Sequence, residues 1–264
     1  IADLTGAEAG FVSSGAGGGL VLQSAACIAG ADPSKMAQLP NTEGLKNEIL
    51  IQTCHRFGYD QCYRAAGAKL INVGDGRKCE PWQLESAISE RTAAIAYLVS
   101  GFLARRALPL EQVCEIAHAH EIPVIVDAAS MLPPRSNLRK FIGKGADMVI
   151  YSGGKGVRGP QGTGILCGRA DLIEAAAVNA SPNPFIGRGM KVAKEEIAGL
   201  VTALQIFVDE DEQEENKRYQ QMGESVIDAL VEIPNLKISV EYDNYDYNVP
   251  MAIVTFTEEW DGPN

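Results

Sequence analysis

Short β-rich runs alternate with helical stretches from residue 11 to residue 167, and few architectures can accommodate that alternation. Strands are expected over 11–14, 48–52, 68–73, 93–100, 123–127, 147–151 and 163–167, with helices over 18–29, 59–66, 82–89, 110–120 and 137–142. The 110–120 stretch shows the helical period most plainly, repeating apolar residues at Leu110, Val113, Cys114, Ile116 and Ala117. A β-α-β-α order implies an α/β fold, a mainly parallel sheet of seven strands with helices on both faces. Ligands bind such sheets outside the carboxyl ends of the strands. After Ala170 the pattern changes. Pro182, Pro184 and Gly187 mark a loop, a long helical region with room for a break covers 193–230, and strands over 236–240 and 250–256 flank a Tyr/Asp/Asn-rich turn. The expected division is a large domain over 1–190, then a linking helix and the start of a smaller α+β domain over 191–264.

Three of the expected strand ends carry chemistry. Val124-Ile125-Val126 ends in Asp127, and Lys155 follows 28 residues later in Tyr151-Ser152-Gly153-Gly154-Lys155-Gly156-Val157-Arg158-Gly159-Pro160-Gln161. An acid ending an apolar strand is costly to bury without a partner. A glycine-rich turn leaves a lysine amine reachable and lets backbone approach a ligand. One such lysine and one such acid are what a pyridoxal phosphate (PLP) enzyme uses: the lysine holds the aldehyde as a Schiff base, and the acid keeps the ring nitrogen protonated. The third piece is Ser13-Ser14-Gly15-Ala16-Gly17-Gly18-Gly19. Its backbone N–H groups at a helix N-terminus suit a phosphate, with the Ser14 hydroxyl in reach. Each piece has a plainer reading: a surface lysine, a capping carboxylate, a structural turn. Their joint occurrence favours the cofactor. A dinucleotide fingerprint fails because Leu20 stands where its third glycine belongs, and Lys155-Gly156 lacks the Ser/Thr of a Walker sequence.

The remaining candidates are less specific. Ser152 is a second phosphate ligand. His55 follows a strand and could stack on the pyridine ring, shuttle a proton or be structural. Arg158 and Gln161 could hold a substrate anion, the cofactor phosphate, or only their own turn. Arg188, Lys191 and Lys194 could anchor a substrate carboxylate or phosphate, or form a solvated basic helix start. His118 and His120 read as surface or capping residues.

Composition removes other functions. A net charge of −11 argues against a broad nucleic-acid surface. Six acids in the seven residues 209–215 read as a solvated helix face. Six dispersed cysteines without a CxxC pair point to a reduced, cytoplasmic protein and no metal site. The longest nearly apolar stretch, 93–104, contains Ser100 and Gly101 and is too short to span a bilayer. The chain starts at Ile1 in what reads as the tail of a helix and stops at Asn264 just after a strand-like run, so both ends are expected to continue.

These segments resemble the selenocysteine synthase (SelA) family of fold-type I PLP enzymes. Leu4-Thr5-Gly6-Ala7-Glu8-Ala9, the Ser-Ser-Gly-Ala turn, Ala65-Ala66-Gly67-Ala68-Lys69-Leu70, Val126-Asp127-Ala128-Ala129 and 152–161 carry the resemblance, across residues 1–205. His55-Arg56 and Leu132-Pro133-Pro134 are similar to the selenium transferase-related branch, which includes D-glucosaminate-6-phosphate ammonia-lyase. The resemblance implies cofactor attachment at Lys155, a contact from Asp127 to the ring nitrogen, and a homodimer or larger assembly with sites at subunit interfaces. The expected activity is a PLP-dependent lyase that removes ammonia from a small hydroxylated amino acid or amino-sugar acid, with or without a phosphate. Selenium transfer to seryl-tRNA, transamination and racemisation are the alternatives within the chemistry, and a non-catalytic assembly subunit is the alternative outside it.

Overall fold

The computed structural model describes residues 1–100, 106–241 and 249–257. Seven strands form one sheet: β1 (Ala9–Ser14), β2 (Glu48–Gln52), β3 (Lys69–Val73), β4 (Thr92–Leu98), β5 (Val124–Asp127), β6 (Met148–Ser152) and β7 (Thr163–Gly168). Their order is β1-β7-β6-β5-β4-β2-β3. All neighbours pair parallel except β7, which runs antiparallel to both β6 and β1. A parallel return needs a crossover of about a dozen residues or more. The β6–β7 connection, 153–162, is a short glycine-rich loop and reverses the chain instead. The carboxyl ends of β1, β2, β4, β5 and β6 therefore share one edge, and the Lys155 loop turns at it.

Both faces of the sheet are covered. The helices of the large unit are α1 (Ala2–Thr5), α2 (Gly15–Ala29), α3 (Pro33–Gln38), α4 (Gln61–Ala65), α5 (Pro81–Ala87), α6 (Leu110–Ala119), α7 (Asn137–Gly143) and α8 (Ala170–Asn179). Successive residues of a strand point to opposite faces. Val124, Val126, Val149 and Tyr151 join Leu84, Val113 and Phe141 in one core. Ile125, Met148 and Ile150 join Leu20, Leu22, Tyr63 and Ile173 in the other. With both faces buried, the central strands are unbroken apolar runs rather than alternating ones.

Helix α8 was not anticipated. Its alanine-rich sequence has a weak amphipathic pattern, and it packs small side chains on α2. The long helical region divides into α9 (Lys194–Asp209) and α10 (Glu212–Leu230). The break is built locally, as the Asp211 carboxylate accepts from the backbone N–H groups of Gln213 and Glu214 at 2.8 and 3.3 Å and caps α10. Leu200, Leu204 and Phe207 of α9 are buried in the core beside Tyr151. Beyond α10, β8 (Leu236–Glu241) and β9 (Met251–Phe256) form a separate antiparallel pair packed against that helix. The Tyr/Asp/Asn-rich turn between them falls mostly outside the described residues.

Candidate active site

A cavity of about 270 Å³ opens at the strand-end edge. Gly15, Ala16 and Gly17 at the start of α2 form one wall, and Ser152, Lys155 and Gln161 from the β6–β7 connection form another. Asp127, Ala129, Ser130, Phe57, Tyr59, Leu98 and Val99 complete the lining. The volume is close to the lower end of small-ligand pockets, roughly 300–1,000 Å³. Gly15, Ala16, Asp127, Ser152 and Lys155 thus share one space, while Ser14 stands just outside the lining at the N-cap position of α2.

Glycine brings α2 onto the sheet. A Cβ at Gly19 would lie 2.4 Å from the Ile150 side chain, and one at Gly164 would lie 2.4 Å from the Gly15 carbonyl. Gly15 has φ of +63°, a conformation open to glycine, and its N–H donates to Gly162 O at 2.9 Å. No side chain caps α2. Its first-turn N–H groups have no intrahelical acceptors and sit at the positive end of the helix dipole, the arrangement that binds a phosphate.

Asp127 is 4% exposed. One carboxylate oxygen accepts from the Ala129 N–H at 3.0 Å. Burial raises its pKa, against the opposing pull of that hydrogen bond and of the Lys155 ammonium. A cationic ring nitrogen in the cavity would relieve the cost. The Lys155 amine donates to Ser130 Oγ at 2.7 Å. Ser130 was not singled out from the sequence; its signal was position, three residues past Asp127 in the same strand-end turn. An uncapped helix N-terminus, a buried carboxylate and an amine around one cavity are a donor set that fits PLP.

The structure places other candidates elsewhere. His55 is buried beside the cavity without lining it. Its Nδ1 accepts from the Leu98 N–H at 3.3 Å, leaving the proton on Nε2, and Tyr97 packs edge-on at 4.6 Å between ring centroids. Burial pulls its pKa down to about 4, so the ring is neutral near pH 7. The aromatic wall comes instead from Phe57 and Tyr59, themselves an edge-to-face pair at 5.5 Å. Arg158 does not face the cavity. It pairs with Glu215 at 2.8 Å and with Glu210. Arg188 lies near Ser181 Oγ at 3.5 Å, and Lys191 lines a different recess with Phe11, Pro182 and Met190. Among the described lining residues, Lys155 is the cavity's one cationic side chain. His118 pairs with Asp147 at 2.8 Å, and Asp147 also binds Arg169 and the Val124 N–H, a structural knot. The 209–215 run is more than a solvated face: Glu210 and Glu215 bind Arg158, and Glu212 accepts from the Arg135 N–H at 3.0 Å.

Comparison with known proteins places this arrangement. The family model described as SelA, L-seryl-tRNA selenium transferase, matches residues 46–239. A 5'-C-glycyluridine monooxygenase-decarboxylase from a Streptomyces species is 32% identical over 97% of this chain and 64% of its own length. D-glucosaminate-6-phosphate ammonia lyase from Salmonella typhimurium is 35% identical over 77% of this chain and 54% of its own. The chain thus spans 54–64% of the length of these two curated relatives. A solved D-glucosaminate-6-phosphate ammonia-lyase superposes with a TM-score of 0.80 at 31% identity, over 97% of this chain and 67% of that one. With the same fold over nearly its whole described length and the family match across its central strands, the chain belongs to the SelA, or L-seryl-tRNA selenium transferase, family of fold-type I PLP-dependent enzymes.

Proposed function

We propose that this chain forms the cofactor-binding part of a PLP-dependent lyase that removes ammonia from a hydroxylated amino-sugar acid or amino acid, phosphorylated in the preferred substrate. The observation that carries the reading is the convergence of Lys155, Asp127 and the uncapped start of α2 on one cavity. The ammonia lyase relatives supply the substrate class.

PLP would supply an aldehyde that condenses with amines and a protonated ring that accepts electron density from a breaking bond. The N–H groups at the start of α2, with Ser14 and Ser152 beside them, would hold the phosphate. Asp127 would keep the ring nitrogen protonated. Lys155 would anchor the cofactor between turnovers and, when displaced by the substrate amine, take the Cα proton as general base. Ser130 holds the lysine amine at 2.7 Å and limits where that base can reach. Phe57, Leu98 and Val99 present apolar surface that restricts water. Elimination of the β-hydroxyl as water, with hydrolysis of the released enamine, would give a keto acid and ammonia. Arg188 and Lys191 are proposed for the substrate's anionic end, reached through loop movement or from a second subunit. Arg158 is already committed to two carboxylates.

A homodimer with small-molecule substrates, located in the cytoplasm, completes the proposal; the six free thiols support the cytoplasmic placement, and the net charge of −11 supports a small-molecule substrate over a nucleic acid. We place the large domain at 1–190, with a linking helix and part of a smaller α+β domain over 191–264. One competing reading has specific support, because the monooxygenase-decarboxylase aligns over 97% of the chain. Full-length protein incubated with D-glucosaminate 6-phosphate separates the two. Equal release of ammonia and keto acid with and without dioxygen is the expected result; turnover that needs dioxygen would replace the lyase reading with the oxidative one.

A further inference from the structure

Lys155 stands on a loop that closes on itself. The Arg158 N–H donates to the Lys155 carbonyl at 2.8 Å, the Gly159 N–H donates to Gly153 O at 2.8 Å, and Gln161 Nε2 donates to Gly154 O at 2.8 Å. The far corner of this loop is Arg158, held at φ of +59°, a conformation disfavoured for a residue with a Cβ. The loop's own hydrogen bonds close around this corner, and the Arg158 side chain reaches out of the loop.

The junction between α9 and α10 receives that side chain with two carboxylates. Glu215, whose side chain is 7% exposed, binds Arg158 Nη1 at 2.8 Å and accepts from Tyr219 Oη at 3.1 Å. Glu210 takes the other terminal nitrogen of the same guanidinium. Glu212 of the same acidic run accepts from the Arg135 N–H. The segment leading into Arg135 packs on the lysine loop so closely that a Cβ at Gly156 would lie 2.0 Å from the Leu132 carbonyl. Two acids of one run therefore bind the loop that carries Lys155, and a third binds the segment packed on that loop.

We propose that Glu210 and Glu215 are positioning residues that set the reach of Lys155 through Arg158. The inference rests on Lys155 being the cofactor's anchor.

The test uses full-length protein freed of cofactor, then mixed with PLP while the visible absorbance of covalent capture is followed against pH. E210Q/E215Q is expected to slow capture by about tenfold or more, since displacement of a reacting group by ~1 Å can cost up to 100-fold. The pH midpoint of the bound cofactor's absorbance is expected to move with it. R158A should match the double variant, R158K should recover part of the rate, and E214Q, whose carboxylate pairs with Lys217, should behave as wild type. Unchanged capture rate and midpoint in a folded E210Q/E215Q would overturn the proposal and leave the contacts merely structural. If the double variant does not fold, E210Q alone carries the same comparison with a smaller shift. Wild-type protein that never captures PLP at Lys155 would defeat both the anchor assignment and the positioning proposal, whereas equal capture by wild type and variants defeats only the latter.

Discussion

Burial drives Asp127 and His55 toward their neutral forms from opposite sides, raising the acid and lowering the base. Asp127 faces a cavity in which a cationic ring can restore its charge. His55 faces protein, with Nδ1 spent on the Leu98 N–H. Its imidazole titrates at about 4 in the fold against 6.5 for an unperturbed one. The unfolded chain therefore binds more protons between those values. The stability this neutral ring contributes is complete above pH 6.5 and is lost as pH falls toward 4, by up to about 3 kcal/mol. His55→Asn, which retains a side-chain acceptor, is expected to be less stable than wild type at pH 7 yet to lose less on acidification. Urea unfolding across that range measures it, and parallel slopes would contradict it. At this scale Lys155 and Asp127 were legible because each carries a local signal, a glycine-rich turn and an apolar run ending in an acid. The commitments of His55 to Leu98 and of Arg158 to Glu210 and Glu215 were not, since each partner lies more than forty residues away.

The β6–β7 connection is the element on which the site depends. Gly156 accepts no side chain there because the neighbouring atom is backbone, the Leu132 carbonyl. Gly156→Ala must move the lysine loop or the 132–135 segment, and overpacking of this kind costs roughly 1–3 kcal/mol. A lower thermal midpoint together with weaker PLP retention is the expected outcome; a lowered midpoint with unchanged retention would mean that the loop is not what places the lysine. The strands were readable to within a residue or two, because double-sided burial makes the central ones apolar runs. The reversal of β7 followed from connection length, which strand pattern alone does not express. Helix α8 escaped because alanine packing against α2 leaves little periodic contrast.

Across the whole molecule, one sheet brings residues from three distant segments to a single edge, and helices α9 and α10 fasten that edge from outside. Those helices also expose Val201, Ile206 and Met222, each more than half exposed. A second copy is the proposed cover, so full-length protein should sediment as a dimer and V201E/I206E should shift it toward monomer; a monomeric wild type would remove that assignment. The convergence itself is tested most directly by borohydride reduction of full-length, PLP-loaded protein followed by peptide mapping. A pyridoxyl adduct on Lys155, lost in Lys155→Ala, is the expected result. An adduct on another lysine, or none at all with no visible absorbance, would contradict a cofactor site at these strand ends.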